Sequence, residues 1–486
     1  MMRKIDFIFK FARNKGVNYS QKRWKNGPNH WSVLLKKKSA SDKALEHFDD
    51  FYKNVFNKAW PSVRVALLSQ NKHIAVVNNF SDTENIIPSL ENLGAINIKK
   101  LFEIEAERIK SEGHKRRRRS RTRPQNENLE MKMEKISEEK LDEELSSIYP
   151  EVPEVKDETR SVQVDDDNRL IDPEVGKLSG SLYEFVPTSR LKGKEDWVLE
   201  SQHYQYYESG TDFPIRIIEQ ENITFPPHLS VYTFETGNIS KFPMSKKGDT
   251  GVSDYYLLDG GSLLPVLALG LRPGDCVLDM CSSPGGKSFL CLQTLNISKL
   301  VANDVSVSRL NRVRRVMQEF FYDFHKKLEN GELELSCSDG RDLDSKNIFD
   351  KILVDAPCTN DRHSLSDPDN NIFKPARIKE RIKIPEVQSE LLTSALKLVK
   401  KGGTVVYSTC SLSPIQNDGV VHMALKKIWE DTDYKIAVVD MRRALEPTEI
   451  MYKYSHNIGL RYGHLVIPYL PCNFGPMYFC KFIKVG

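Results

Sequence analysis

Asp279-Met280-Cys281-Ser282-Ser283-Pro284-Gly285-Gly286-Lys287 follows the apolar run Cys276-Val277-Leu278 and runs into Ser288-Phe289-Leu290-Cys291-Leu292. Strand, glycine-containing turn and helix in that order open a dinucleotide-type α/β unit. Two cysteine signatures lie downstream, Asp355-Ala356-Pro357-Cys358 and Ser408-Thr409-Cys410-Ser411, behind the runs Lys351-Ile352-Leu353-Val354 and Thr404-Val405-Val406-Tyr407. Both thiols are therefore expected at the carboxyl ends of parallel strands, where open α/β sheets place their chemistry.

Outward from this centre, the pattern predicts strands over 276–280, 300–303, 332–337, 350–355 and 403–408. Helices are expected from Ser288 and over 308–328. The tail runs Leu465-Val466-Ile467-Pro468 and Met477 to Phe482, joined through Asn473-Phe474-Gly475-Pro476, read as a terminal hairpin with one strand antiparallel to the rest. Upstream, 198–200, 215–218 and 231–234 read as a β-rich lead-in, and 256–269 as a helix. Together these give an α/β catalytic domain over 180–486 with a mostly parallel sheet and an antiparallel C-terminal strand.

The 486 residues leave room for further regions. Residues 42–104 look folded, with Ala44, Leu45, Phe48, Phe51 and Tyr52 at helical spacing. Between 105 and 175 a basic run, Lys115 to Arg123, gives way to an acidic, aromatic-poor stretch. Such blocks bury too little surface to fold and read as a disordered insert. The basic run reads as a nuclear localisation signal, an RNA-contacting tether or a solvated linker. The first forty residues hold eleven Lys or Arg and one acid, Asp6. That pattern reads as an organelle transit segment over 1–41, with a basic arm on RNA phosphates as the other reading.

Composition excludes several classes. Hydrophobic content is 39%, charge 28% and net charge +4, and no stretch reaches the roughly 20 apolar residues of a membrane span. All eight cysteines fall between Cys276 and Cys480 without CxxC or HxxxH spacing, so reduced intracellular thiols are expected and no metal site.

The turn lacks the GxGxxG of a pyrophosphate-binding loop, and a proline and a lysine stand where glycines would be wanted. A donor without phosphates fits better. S-adenosylmethionine would use Gly285 and Gly286 for close approach, Asp304 for the ribose diol and Asp339 for the adenine amine. Strand-end aspartates also cap helices, so the argument lies in three loops on successive strands.

Two thiols facing a methyl donor suggest work on a pyrimidine. Carbon 5 of cytosine takes a methyl group only after a thiolate adds to carbon 6, and its proton must then leave so that the thiol is eliminated. Asp355 is placed to protonate or hydrogen-bond the ring nitrogen beside the amine. A base inside a stem cannot reach such a pocket, so a single-stranded or flipped-out cytosine is expected.

The quoted runs around Pro284, Cys358 and Cys410 resemble the motifs of the Nop/Sun-domain RNA cytosine-C5 methyltransferases, over about 255–484. Asp361-Arg362-His363-Ser364-Leu365, Asn370-Asn371-Ile372-Phe373-Lys374 and Asn473 to Cys480 are similar to the mitochondrial small-subunit ribosomal RNA branch, as are Trp60-Pro61-Ser62-Val63-Arg64 and Val77-Asn78-Asn79-Phe80. The resemblance implies a Rossmann-like S-adenosylmethionine-dependent fold. It implies Cys410 as nucleophile, Cys358 in product release, and donor contacts from Gly285, Gly286, Lys287, Asp304, Arg309, Asp339, Gly340 and Asp355. It further implies a location in the mitochondrial matrix and a helical-repeat partner of the mitochondrial termination-factor type. Ser282-Ser283 stand where the family commonly has two alanines. The same chemistry on mitochondrial transfer RNA stays open, as does a ribosome-assembly factor whose RNA binding matters more than its catalysis.

Overall fold

The computed structural model describes residues 38–122, 213–344, 348–455 and 459–486. The chain begins with α1 (Ala40–Phe56) and α2 (Trp60–Leu68), then β1 (His73–Val77), α3 (Thr83–Asn92), β2 (Ala95–Asn97) and α4 (Ile98–Thr122). After the next described stretch opens come β3 (Arg216–Glu219), β4 (Val231–Phe234), β5 (Tyr255–Asp259) and α5 (Leu263–Leu269). The alternating part is β6 (Asp275–Asp279), α6 (Gly286–Gln293), β7 (Ile297–Asn303), α7 (Val307–Phe320), α8 (Phe324–Glu329), β8 (Leu333–Ser336), β9 (Phe349–Asp355), α9 (Asp361–Ser366), α10 (Ile378–Leu398) and β10 (Val399–Thr409). It closes with α11 (Val420–Asp431), β11 (Ile436–Asp440), α12 (Arg442–Leu445), β12 (His464–Val466) and β13 (Met477–Lys484).

The main sheet has the order β3-β11-β13-β10-β9-β6-β7-β8, and β12 also pairs with β13. Every pair is parallel except those of β13, which runs antiparallel between β10 and β11. The order reverses beside β6, with β7 on one side and β9 on the other, which opens a crevice at the carboxyl ends of these strands. The central strands are apolar throughout because both faces are covered: Ile352, Leu353 and Val354 of β9 and Val405, Val406 and Tyr407 of β10 are buried.

A second, four-stranded sheet has the order β2-β4-β1-β5. Its strands come from both sides of the charged segment, with Val77 paired to Tyr255 and Ala95 to Phe234. The N-terminal region is therefore not a separate unit, because its strands complete a sheet whose other strands lie in the expected catalytic domain. Helix α1 is built for docking. Ser39 and Asp42 form a capping box at its start, and Ala44, Phe48, Tyr52 and Phe56 line its buried face. That face joins the core beneath β9 and β10.

Four expectations are corrected. Residues 255–259 form a strand, because pairing with β1 outweighs helix propensity, and Gly260-Gly261 delay the helix to Leu263. The expected lead-in strands part company: β4 joins the small sheet, whereas β3 pairs with β11 at the edge of the large one. The helix expected over 308–328 breaks at Phe321, whose backbone is extended and whose ring is buried against Phe80. Finally, α4 continues to Thr122, so 105–122 is helical; Lys, Arg and Glu are strong helix formers. The expected strand at 198–200, the insert over 123–175 and residues 1–37 lie outside the described residues.

Candidate active site

The donor loop leaves β6 at Asp279. Asp279 is 1% exposed, and burial raises its carboxyl to about 7 although Ser288 Oγ donates to Oδ2 at 2.5 Å. Its Oδ1 is buried with no hydrogen-bond partner among the described residues. Gly285 has φ 114°, a left-handed conformation that suits glycine. A Cβ on Gly286 would stand 2.8 Å from Leu258 Cδ1 on β5, so a larger residue there would have to displace that side chain.

Asn303, buried at the end of β7, ties three strand ends together. Its Nδ2 donates to the carbonyls of Met280 and Ser338 at 3.0 and 2.9 Å, and its Oδ1 accepts from the Ser338 amide at 3.1 Å. This lock holds the loops of Asp279, Asp304 and Asp339 in one group. Asp304 is 2% exposed, accepts from the Ser306 amide at 3.0 Å and faces Arg309 Nε at 3.2 Å. Asp339 is held by the Arg341 guanidinium at 2.7 Å, which keeps its carboxyl below the usual range. A Cβ on the adjoining Gly340 would reach 2.7 Å from Met280 Cγ.

The residues fit S-adenosylmethionine. An orphaned buried carboxylate oxygen on Asp279 suits an amino group, and Asp304 beside it offers a second acceptor. When bound there, the donor supplies an electrophilic methyl group.

The thiols sit one strand further along. Cys358 follows β9, Cys410 follows β10, and their sulfurs are 3.0 Å apart, both unoxidised. Asp355 and Ser408 are paired residues of the two strands, and Ser408 Oγ donates to Asp355 Oδ1 at 2.8 Å. Lys287 Nζ donates to Asp355 Oδ2 at 2.7 Å. Burial alone would lower the lysine's pKa, but the carboxylate's charge and hydrogen bond raise it instead. The Cys358 hydrogen bond, burial and the Asp355 charge push the Cys410 thiol well above its ordinary value, with Lys287 pulling the other way. In the free protein Cys410 is thus held as a thiol, beside the cation that favours the thiolate.

A cleft of about 850 Å³ opens over both sulfurs, a volume suited to a nucleotide-sized ligand. Lys287, Arg309, Asp355, Cys358 and Cys410 line it, whereas Gly285, Gly286, Asp304, Asp339 and Gly340 do not. Of the residues expected as donor contacts, Lys287 and Asp355 thus stand on the thiol side, while Arg309 lines the cleft and is ion-paired with Asp304. Both oxygens of the Asp355 carboxylate are engaged, Oδ1 by Ser408 and Oδ2 by Lys287, at the wall of the cleft.

Sequence reasoning missed one wall entirely. Leu67 to Asn71, at the end of α2, line the cleft, held there by Arg362, which donates to the carbonyls of Ala66 and Ser69 at 3.0 Å each and to Asn473 Oδ1 at 2.8 Å. The only trace in the sequence was the resemblance around Trp60 and Asn473. Among the described residues no group of three His, Cys, Asp or Glu is arranged for a metal, and no helix is long and apolar enough to cross a membrane.

Strand order, donor loop and strand-end acids define a Rossmann-like S-adenosylmethionine-dependent methyltransferase, and the thiol pair narrows it to one that works on carbon 5 of a pyrimidine. The family model described as 16S rRNA methyltransferase RsmB/F matches residues 266–456. The 5-cytosine rRNA methyltransferase NSUN4 of Xenopus laevis is 34% identical over 94% of this chain and 93% of that protein. The corresponding nsun-4 protein of Caenorhabditis elegans is 33% identical over 96% and 97%. A mitochondrial tRNA (cytosine(34)-C(5))-methyltransferase of Danio rerio is 36% identical over 59% of this chain and 72% of that protein. The chain belongs to the Nop/Sun (RsmB/F) family of S-adenosylmethionine-dependent RNA cytosine-C5 methyltransferases.

Proposed function

We propose that this enzyme methylates carbon 5 of a cytosine in mitochondrial small-subunit ribosomal RNA, through a covalent adduct to Cys410, in support of ribosome assembly. The observation that carries the covalent reading is the pair of sulfurs at 3.0 Å on neighbouring strand ends, over the Lys287–Asp355 pair and under one cleft. Cys410 passes its proton, by way of the Asp355 carboxylate, to the ring nitrogen beside the cytosine amine and adds to carbon 6, which makes carbon 5 nucleophilic toward the methyl group. Lys287 stabilises the thiolate. After methyl transfer, Cys358 assists loss of the carbon-5 proton, and the Cys410–carbon-6 bond breaks to restore aromaticity. Asp355, held by Lys287 and Ser408, protonates or hydrogen-bonds the ring nitrogen beside the cytosine amine. Gly285, Gly286, Asp304, Arg309, Asp339 and Gly340 shape the donor site.

Ribosomal RNA is favoured over transfer RNA because the ribosomal RNA relatives align along more than nine-tenths of this chain, against 59% for the transfer RNA relative. The mitochondrial assignment rests on the basic, acid-poor first forty residues, read as a transit segment. A helical-repeat partner of the termination-factor type would add grip on the RNA. Bisulfite sequencing of total RNA from cells with and without the protein tests the substrate. One small-subunit mitochondrial cytosine should lose its mark; loss confined to transfer RNA or to cytosolic ribosomal RNA would overturn the assignment.

A further inference from the structure

We infer that Asp361 is a positioning residue that sets the register of the two thiol loops and couples it to the N-terminal helix. The inference rests on the proposed use of Cys410 for attack and Cys358 for release.

Asp361 is fully buried, 0% exposed, three residues after Cys358. Its carboxylate gathers donors from three parts of the chain. Thr359 Oγ1, in the Cys358 loop, donates at 2.6 Å. From the Cys410 loop come the Leu412 amide at 2.7 Å and the Ser411 hydroxyl, 3.3 Å from each oxygen. Tyr52 Oη, on α1 and 309 residues away in sequence, donates at 2.7 Å. Thr359 and Ser411 also touch each other at 2.9 Å. A carboxylate accepts several bonds at once, and charge-assisted ones are the strongest kind available to neutral donors. No apolar residue could replace it without leaving these buried donors unpaired.

The two loops depend on this anchor unequally. The Cys410 loop is fixed a second time by Asn417, which accepts from Thr409 Oγ1 at 2.6 Å and donates to the Ser411 carbonyl at 3.0 Å. Cys410 also follows directly on β10. Cys358 stands three residues beyond β9; its loop also has anchors besides Asp361, in Gln388 and Gln416, so the inequality lies in the distance of each thiol from its strand. Loosening Asp361 should therefore displace the releasing thiol more than the attacking one. Displacement of a catalytic group by about 1 Å costs roughly 10²-fold in rate.

The test uses the full-length protein, S-adenosylmethionine and a transcript of mitochondrial small-subunit ribosomal RNA. Asp361→Asn should lower kcat by about 10²-fold with donor affinity unchanged, and a protein–RNA adduct should survive denaturing electrophoresis although both cysteines are intact. Tyr52→Phe and Ser411→Ala remove one donor each and should show the same adduct with a smaller loss of kcat, which keeps the idea testable if Asp361→Asn does not fold. Wild-type kcat in folded variants, or a loss of activity that tracks lost donor affinity without adduct, would overturn the inference. If wild type does not methylate the transcript and Cys358→Ala forms no adduct with it, the parent reading fails instead.

Discussion

At the scale of single residues, burial does most of the chemistry. Asp304 is almost fully buried beside a partly exposed Arg309, so a ribose hydroxyl donating to it would form a charge-assisted bond in a dry place. Asp304→Ala should weaken S-adenosylmethionine binding by about 1.5–3 kcal/mol, measured by titration calorimetry. Unchanged affinity in a folded variant would misplace the donor. Asp279 makes a pH prediction. Its carboxyl keeps its proton to about pH 7 when folded, against a reference value of 3.8. Its contribution to stability is then full below the reference value and lost as pH rises through 7. Thermal unfolding between pH 4.5 and 7.5 should show that loss in wild type and a flatter profile in Asp279→Asn; parallel profiles would contradict it.

Among the elements, α1 is the one whose role extends furthest beyond its own segment. Phe48 is 1% exposed, stacked with Tyr52 at 5.1 Å and edge-on to Phe373 at 5.2 Å. Phe48→Ala should cost about 3–5 kcal/mol in urea unfolding, and a cost under about 1 kcal/mol would mean that the helix is not part of the cooperative core. The central strands β6, β7, β9 and β10 were legible because each is a largely buried apolar run leading to a residue with chemistry, such as Asp355 or Asp304, whereas β11 was not read and β3 is mostly exposed. What could not be read depended on partners distant in sequence. Tyr255–Asp259 looks helical until β1 is set beside it, and nothing local in Leu67–Asn71 reveals that Arg362 and Asn473 hold it against the cleft. Asp361 was quoted only as part of a resembling run, since a buried aspartate announces itself through donors that the linear sequence scatters.

For the whole molecule, two sheets and the N-terminal helices form one body around a cleft that holds the pair of thiols, with the expected donor loops on neighbouring strand ends. The strand order sets this arrangement, because β6, β7 and β8 carry the loops of Asp279, Asp304 and Asp339 while β9 and β10 carry the thiols. The claim on which the account stands is that the two cysteines divide the work. The most direct measurement incubates Cys358→Ala and Cys410→Ala with S-adenosylmethionine and the ribosomal RNA transcript, then resolves each on a denaturing gel. Cys358→Ala should retain a covalent RNA adduct, because attack proceeds while release is slowed; Cys410→Ala should form none and transfer no methyl group, with donor binding intact. An adduct trapped by Cys410→Ala and lost in Cys358→Ala, or methylation that persists without an adduct in both, would contradict the account.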